Sequence, residues 1–151
     1  MVDIGRSLSS HTLVGIDTSI WIYHLEDNPR YSLLTTDILN AVETGHPRAV
    51  ISVVTIMELT VQPYRLDQLN VAAYYEALLM HFPNAQVHEV TTTIARRASQ
   101  LRGLYSLRTA DALLVATSLV AGATVWITND RGLRRLAPLI EVLLLDDLLE
   151  P

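Results

Sequence analysis

Four acidic residues, far apart in the sequence, stand where apolar strand-like segments give way to helices or where a helix begins. They are Asp17, Glu58, Asp111 and Asp130. In an open α/β sheet, functional groups gather outside the carboxyl ends of the strands, so these acids can be neighbours in the fold. Clustered carboxylates repel one another unless cations keep them ionised, and hard ions such as Mg²⁺ or Mn²⁺ accept oxygen ligands. The pattern therefore predicts a divalent metal site.

Each acid also has a local explanation that needs no metal. Asp17 is a good helix N-cap, and the segment from Thr55 to Glu58 matches the S/T-x-x-E capping box. Asp111 follows Thr109, a natural N-cap, and gains from the helix dipole. Asp130 lies in an Asn-Asp-Arg-Gly turn, where aspartate is favoured by local hydrogen bonds. The set of four favours a shared site, because all of them can face the same end of the sheet.

The elements that must position these acids follow from the hydrophobic pattern. Apolar runs at 13–16, 49–54, 86–90, 124–128 and 140–145 predict strands, and the segments between them have helical spacing. We predict helices at 31–42, 66–82, 92–104 and 109–120, and one after residue 54 that stops before Pro63. The alternation predicts an α/β fold with a central, mostly parallel sheet of about five strands and helices on both faces. The long 66–82 helix is a candidate dimer element.

Length and composition narrow the class of protein. A chain of 151 residues suits one domain, so we predict a single domain over 1–151, with 1–12 as a flexible N-terminal extension. The absence of cysteine excludes disulfides, thiolate nucleophiles and Cys-ligated zinc. No secretory signal is visible, and the longest apolar stretch is too short and too interrupted to span a membrane. We expect a soluble, cytoplasmic protein.

The charges are distributed unevenly. A net charge of -5 argues against a protein that binds nucleic acid by bulk electrostatics. All 11 basic residues are arginines, and seven of them lie between Arg96 and Arg135, in the part that also holds Asp111 and Asp130. Arginine suits bidentate phosphate contacts, although solvated helix faces and carboxylate partners explain such residues equally well. With 50% hydrophobic residues, the chain also has apolar surface to spare for a homodimer or another protein.

Four segments of this chain resemble the four motifs of PIN-domain nucleases, in the order of that family. They are GIDTSIWI at 15–22, SVVTIMEL at 52–59, LRTADALLVA at 107–116 and VWITNDRGL at 125–133. The resemblance extends over almost the whole chain and is greatest to the VapC-type toxins of bacterial toxin–antitoxin pairs. One departure is the lack of the aromatic residue that the family often has near the position of Leu133.

The resemblance implies a role for each candidate residue. The catalytic metal ligands, direct or through water, for one or two Mg²⁺ or Mn²⁺ ions would be Asp17, Glu58, Asp111 and Asp130. The residues that would orient the last carboxylate or contact a ligand or phosphate are Thr18, Ser19, Thr128 and Asn129. Two arginines that neighbour catalytic acids in sequence, Arg108 and Arg131, are candidate phosphate contacts.

The reaction implied by the resemblance is metal-dependent hydrolysis of phosphodiester bonds in single-stranded or looped RNA. A toxin of this kind would be paired with a cognate antitoxin that covers the acidic cleft and a neighbouring apolar groove. An arginine of the antitoxin could then lie against the carboxylates and displace metal.

Other functions that use acids at strand ends fit less well. A phospho-acceptor receiver domain needs a lysine, which this chain lacks, and an Asp-x-Asp phosphatase needs an acid where Ser19 stands. Neither a Walker A loop, a dinucleotide fingerprint nor a G-x-S-x-G elbow is present. The remaining alternative is a non-catalytic PIN-like binding or scaffolding subunit whose acids serve only as caps.

Overall fold

A computed structural model describes residues 3–149 of the chain. Within this range the strands are β1 (Leu13–Ile16), β2 (Arg48–Ser52), β3 (Ala85–His88), β4 (Val125–Thr128) and β5 (Glu141–Leu144). The first four α-helices are α1 (Ile4–Leu8), α2 (Thr18–Leu25), α3 (Ser32–Glu43) and α4 (Val53–Arg65). The others are α5 (Leu69–Met80), α6 (Thr92–Tyr105), α7 (Thr109–Ala121) and α8 (Leu145–Leu149), and a 3₁₀ helix covers Arg131–Leu136.

The five strands form one sheet in the order β3-β2-β1-β4-β5. Every neighbouring pair is parallel, so the predicted parallel sheet of about five strands is confirmed. Because the strands share one direction, their carboxyl ends lie along a single edge. The central strand β1 pairs with β2 on one side and β4 on the other, which places the residues that follow these strands next to one another.

Alternate residues of the strands enter two hydrophobic cores. Val14 and Ile16 of β1 pack in the core that contains side chains of α1 to α5 and α8. Trp126 of β4 packs in the other core, with α6, α7 and the 3₁₀ helix. Successive side chains of a strand point to opposite faces, so the predicted helices on both faces are confirmed. The two tryptophans, Trp21 and Trp126, lie one in each core and are 0% and 1% exposed.

Gly15 lets α7 pack closely against the centre of the sheet. A Cβ atom at this position would collide with the side chain of Ser118 on α7 and with the ring of Trp126. The glycine therefore allows a close approach between strand and helix that no other residue permits without a shift. Since the first turn of α7 carries Asp111, this contact also fixes the distance of Asp111 from the residues that follow β1.

The second strand ends, and α4 begins, earlier than the sequence predicts. Val53 and Val54 were expected in the strand but form the first turn of α4, because the Ser52 hydroxyl caps the helix by accepting the Val54 N–H at 3.1 Å. The predicted capping box from Thr55 to Glu58 is therefore wrong, since both residues lie inside the helix. The helix also continues through Pro63, its predicted stop, with the proline ring buried.

The long predicted helix at 66–82 is shorter in the structure. Asp67 adopts a left-handed conformation with φ of +54°, and α5 begins only at Leu69. Leu69 is 60% exposed, whereas Ala72 and Leu79 are buried. The outer surface of α5 therefore carries large apolar side chains.

Both ends of the described chain form helices that were not predicted. Within the 1–12 segment, residues 1 and 2 lie outside the described range, and α1 places Ile4 and Leu8 in the core. The flexible extension stays a prediction, although these two side chains anchor part of the segment. At the other end, Leu145 and Leu148 of α8 are buried. Among residues 3–149, the structure contains no helix with the length and apolar character that crossing a membrane requires.

Candidate active site

The four acids reach one cleft from four different elements. Asp17 directly follows β1, Glu58 lies in the second turn of α4, Asp111 in the first turn of α7, and Asp130 two residues after β4. All four line an open cleft of about 340 Å³ at the carboxyl edge of the sheet. The predicted convergence of acids that lie far apart in the sequence is thus present as a shared cleft.

Asp17 is the most deeply placed of the four and is only 8% exposed. Its Oδ2 accepts a hydrogen bond of 2.6 Å from the Thr128 hydroxyl, and it makes no side-chain capping bond to α2. Burial raises the pKa of Asp17 to about 6; the Thr128 hydrogen bond opposes the rise, and the charges of Asp111 and Glu58 add to it. The fold therefore holds a carboxylate that would be stabilised by a nearby cation.

Glu58 is held by the first residue of α2. The Thr18 hydroxyl donates to Glu58 Oε1 at 2.8 Å and lies 3.0 Å from the Thr55 hydroxyl. Thr55 and Glu58 were predicted to cap a helix; instead they connect α4 to α2 beside the cleft. Thr18 and Ser19 both line the cleft, so the resemblance selected two residues that are adjacent to the acids.

Thr128 and Asn129 link the acids to the chain that follows β4. The Thr128 hydroxyl accepts the Asp130 N–H at 3.1 Å while donating to Asp17, which joins two of the acids through one side chain. Because Thr128 is fully buried, its hydroxyl makes hydrogen bonds to these two residues and not to solvent. Asn129 lines the cleft, and its Oδ1 accepts the Asp146 N–H at 3.0 Å.

Asp130 retains the local role that its turn suggested. Its Oδ1 accepts the Gly132 N–H at 2.9 Å and caps the 3₁₀ helix. The other carboxylate oxygen, Oδ2, accepts no hydrogen bond from another side chain among the described residues. Capping and a place in the cleft are therefore compatible, as the sequence pattern allowed.

The two candidate phosphate-binding arginines differ. Arg108 lines the cleft, and its Nε donates to Asp111 Oδ2 at 3.0 Å, which raises the pKa of Arg108. Its side chain is 82% exposed, so it can swing away from Asp111. Arg131 does not line the cleft but donates to Asp146 at 3.4 Å. Only Arg108 is thus in direct contact with a predicted ligand.

The side chains of the cleft suit a hard divalent cation, because four carboxylates line it and each has at least one oxygen without a side-chain donor among residues 3–149. Ser19 Oγ is buried at this cleft and has no hydrogen-bond partner within the same residues. No three acidic or histidine side chains of residues 3–149 are grouped closely enough to hold a metal ion as they stand. The donor set is therefore present, and binding would require small side-chain movements such as separation of Arg108 from Asp111.

Several residues near the cleft were missed by the sequence analysis. Tyr23 lines the cleft and stacks on Tyr31, with ring centroids 4.6 Å apart. Tyr31 in turn donates to Asp146, which follows β5. Asp146 could have been found, because the rule that selected acids after apolar strands applies to it as well. The sequence pattern gave no reason to select Tyr23 or Tyr31, because neither residue follows a predicted strand.

A family model described as the PIN domain matches residues 14–139. The chain belongs to the PIN-domain family. This match covers the segments that contain all four acids, and it confirms the family that the sequence motifs suggested. No match was found among curated protein sequences.

Solved structures of VapBC complexes contain chains that share the fold. The structure of VapBC2 from Rickettsia felis bound to a promoter DNA fragment has a chain with TM-score 0.68 and 13% identity, covering 86% of this chain and 96% of that one. DNA-bound VapBC from Salmonella typhimurium gives a TM-score of 0.68 with 20% identity and coverages of 89% and 98%. VapBC-1 from nontypeable Haemophilus influenzae gives a TM-score of 0.64 with 17% identity, covering 89% of this chain and 98% of that one. At these identities the likeness concerns the fold.

Proposed function

We propose that this chain is a metal-dependent endoribonuclease that hydrolyses phosphodiester bonds in RNA and serves as the toxin of a toxin–antitoxin pair. The observation that carries the proposal is the shared cleft of Asp17, Glu58, Asp111 and Asp130 at the carboxyl edge of the sheet. Membership of the PIN-domain family supports a nuclease, and the likeness to VapBC chains supports the toxin.

In the proposed reaction the four carboxylates hold one or two Mg²⁺ or Mn²⁺ ions. A cation bound there supplies an activated water for hydrolysis and neutralises charge on the leaving oxygen. Thr128 holds the Asp17 carboxylate in place through its 2.6 Å hydrogen bond, and Thr18 does the same for Glu58 at 2.8 Å. Each hydroxyl binds one oxygen of its carboxylate and leaves the other oxygen without a side-chain donor among the described residues.

The proposed substrate is single-stranded or looped RNA. The cleft is open rather than enclosed, which suits an extended strand whose phosphates reach the acids. Arg108 at its edge is exposed and can exchange Asp111 for a phosphate, because guanidinium binds either group through the same donors. Ser19 also lines the cleft and stays a proposed contact to the strand, but its Oγ is buried and would have to turn outward to donate.

The test is cleavage of a mixed RNA pool by purified protein in Mg²⁺ or Mn²⁺. We expect cuts that disappear in EDTA and in the Asp17→Asn/Asp111→Asn double variant. The matched control is Asp37→Asn/Asp67→Asn, which removes two exposed carboxylates that do not line the cleft and should leave cleavage unchanged. Folded, metal-supplied wild-type protein that cuts neither structured nor unstructured RNA would contradict the nuclease and favour the non-catalytic binding subunit.

A cognate antitoxin is the proposed protein partner, and an apolar groove beside the cleft is its proposed site. The groove has a volume of about 220 Å³ and lies between α2, α4 and α5. Its apolar lining consists of Ile22, Leu25, Leu59, Pro63, Val71 and Tyr75. Glu26 and Glu58 add negative charge to it, so a segment with apolar side chains and an arginine would be complementary.

Two neighbouring tyrosines of α5 allow a matched test of this site. Tyr75 lines the groove, whereas Tyr74 is 60% exposed and lies outside it. With the purified product of the neighbouring gene as the probe, we expect Tyr75→Glu to weaken the complex strongly and Tyr74→Glu to preserve it. An equal effect of both variants, measured by calorimetric titration, would move the site away from the groove.

A homodimer is also proposed, through the exposed surface of α5 and the turn before it. Large apolar side chains exposed there are Leu66, Leu69, Tyr74 and Met80. Such a patch favours association with a second copy. We expect a dimer mass in light scattering for the wild type and a monomer for Leu69→Glu; an unchanged dimer in this variant would exclude α5 as the contact.

A further inference from the structure

A second charged cluster lies beside the acidic cleft and is organised by one carboxylate. We define the Asp146 cluster as Arg30, Tyr31, Arg131 and Asp146. The Tyr31 hydroxyl donates to Asp146 Oδ1 at 2.7 Å, and Arg30 Nη2 lies 3.4 Å from the same oxygen. Arg131 Nη2 donates to Oδ2, also at 3.4 Å. The Asp146 carboxylate thus binds side chains from two other segments of the chain.

The Asp146 cluster is continuous with the wall of the cleft. The Tyr31 ring stacks on Tyr23, which itself lines the cleft. Asn129, another lining residue, accepts the backbone N–H of Asp146. Arg131 directly follows Asp130 in the chain. An RNA strand lying in the cleft could therefore extend directly onto this cluster.

The charges and the exposure of the Asp146 cluster suit the binding of an anion. The side chains of Arg30 and Arg131 are 64% and 66% exposed, whereas Asp146 is 17% exposed. Two guanidinium groups against one carboxylate leave a net positive charge at the surface. Each guanidinium has five N–H donors, and Asp146 uses only a small part of them. An approaching phosphate would therefore meet the free donors of both arginines before it met the carboxylate.

From this geometry we infer that the Asp146 cluster is a subsite that binds a backbone phosphate of the RNA strand flanking the scissile bond. The inference rests on the proposed nuclease function and adds a place where the substrate is gripped away from the reacting atoms. Such a binding site offsets the repulsion between the RNA phosphates and any charge of the four acids that bound cations leave unneutralised. In this subsite Arg30 and Arg131 bind phosphate, and Asp146 is a positioning residue that holds both guanidinium groups next to the cleft.

The experiment measures cleavage and binding of one single-stranded RNA oligonucleotide that wild-type protein cuts. Arg30→Gln/Arg131→Gln should raise KM about tenfold and leave kcat unchanged, because the contacts lie away from the reacting phosphate. Binding measured in EDTA over a range of salt should lose about 1.4 from the slope of log K against log salt, as expected for two lost single-strand phosphate contacts.

The matched control is Arg6→Gln/Arg48→Gln, which removes the same charge from two exposed positions. Arg6 is on α1 and Arg48 opens β2 at the amino edge of the sheet. This variant should retain the wild-type KM and salt slope. If the control and Arg30→Gln/Arg131→Gln behave alike while wild-type protein cuts RNA, the subsite is overturned and the nuclease stands. If wild-type protein neither binds nor cuts RNA, both proposals are overturned.

Asp146→Ala separates positioning from simple electrostatics. Removing this negative charge makes the surface more positive, so electrostatics alone would tighten RNA binding. Loss of positioning has the opposite effect, and we expect KM to rise a few-fold, with Asp146→Asn closer to wild type because it keeps an acceptor for Tyr31 and the arginines. Tighter binding by Asp146→Ala would overturn the positioning role.

Discussion

Asp17 follows the central strand β1 and Asp146 comes two residues after the edge strand β5, and the two acids lie in opposite environments. Asp17 is buried, has other carboxylates for neighbours, and has its pKa raised to about 6, chiefly by burial. Asp146 is surrounded by Tyr31, Arg30 and Arg131, and the Tyr31 hydrogen bond is the main cause of a lowered pKa. Position at a strand end gives each acid access to the same edge. The groups that contact each carboxylate decide whether it can still bind a cation or already has hydrogen-bond donors and positive charges around it.

The largest expected effect is on catalysis and concerns the buried acid. Asp17→Asn removes a proposed charged metal ligand, and since a cation at the reacting phosphate contributes several kcal/mol to the transition state, kcat should fall about 10³-fold. Asp147, which follows β5 and is bound by Arg134 at 2.6 Å, offers the comparison. Asp147→Asn should retain wild-type kcat in the same RNA cleavage assay, and a similar loss in both variants would remove the distinction between the two regions.

The same substitution should stabilise the fold at neutral pH. The Asp17 carboxyl group, whose pKa is about 6 in the folded chain against an ordinary value of 3.8, binds its proton more tightly when folded. Stability therefore falls as pH rises from about 4 to 6, by about 3 kcal/mol. Asp17→Asn should recover about 2 to 3 kcal/mol at pH 7.5 and much less at pH 4. Urea unfolding in EDTA measures the stability of both proteins. A difference between Asp17→Asn and wild type that is the same at both pH values would contradict the prediction.

Loss of the Thr128 hydroxyl should lower the stability of the fold, and by less than Asp17→Asn raises it. Thr128→Val keeps the shape of the side chain but leaves the buried Asp17 carboxylate without its donor, at a cost of about 2 kcal/mol at pH 7.5. The cost should decrease at pH 4, where Asp17 is protonated. Thr117 is the matched control, because its buried hydroxyl donates to the Leu113 carbonyl and its replacement by valine should have no such pH dependence. Urea unfolding of both variants at the two pH values makes the comparison.

The smallest effect concerns Asp146, and its pH dependence has the opposite sign from that of Asp17. Because its pKa is lowered in the folded chain, Asp146 stabilises the fold above the ordinary aspartate pKa and loses this contribution as pH falls from that value to the lowered one. Asp146→Asn should therefore destabilise at pH 7.5, by less than about 1 kcal/mol because the arginine partners are exposed. The difference from wild type should shrink on acidification; a difference that grows instead would contradict the environment described for Asp146.

The parts of the fold that the sequence predicts are those set by local repetition. Strand segments and the acids after them follow from hydrophobic periodicity, and a parallel sheet then brings Asp17 and Asp130 to one edge. What could not be predicted depends on tertiary contacts. The bond from Thr128 to Asp17 joins residues 111 positions apart, and Pro63 continues a helix because neighbouring elements bury its ring. The Asp146 cluster likewise exists only after three segments have met.

Glu58 belongs to both depressions on this side of the molecule, since it lines the acidic cleft and the apolar groove. An occupant of the groove is therefore adjacent to a carboxylate that the proposed chemistry needs. A substitution at position 58 that weakens binding of a partner in the groove would also remove a proposed metal ligand. This one side chain would therefore couple the evolution of the proposed activity to the evolution of its inhibition.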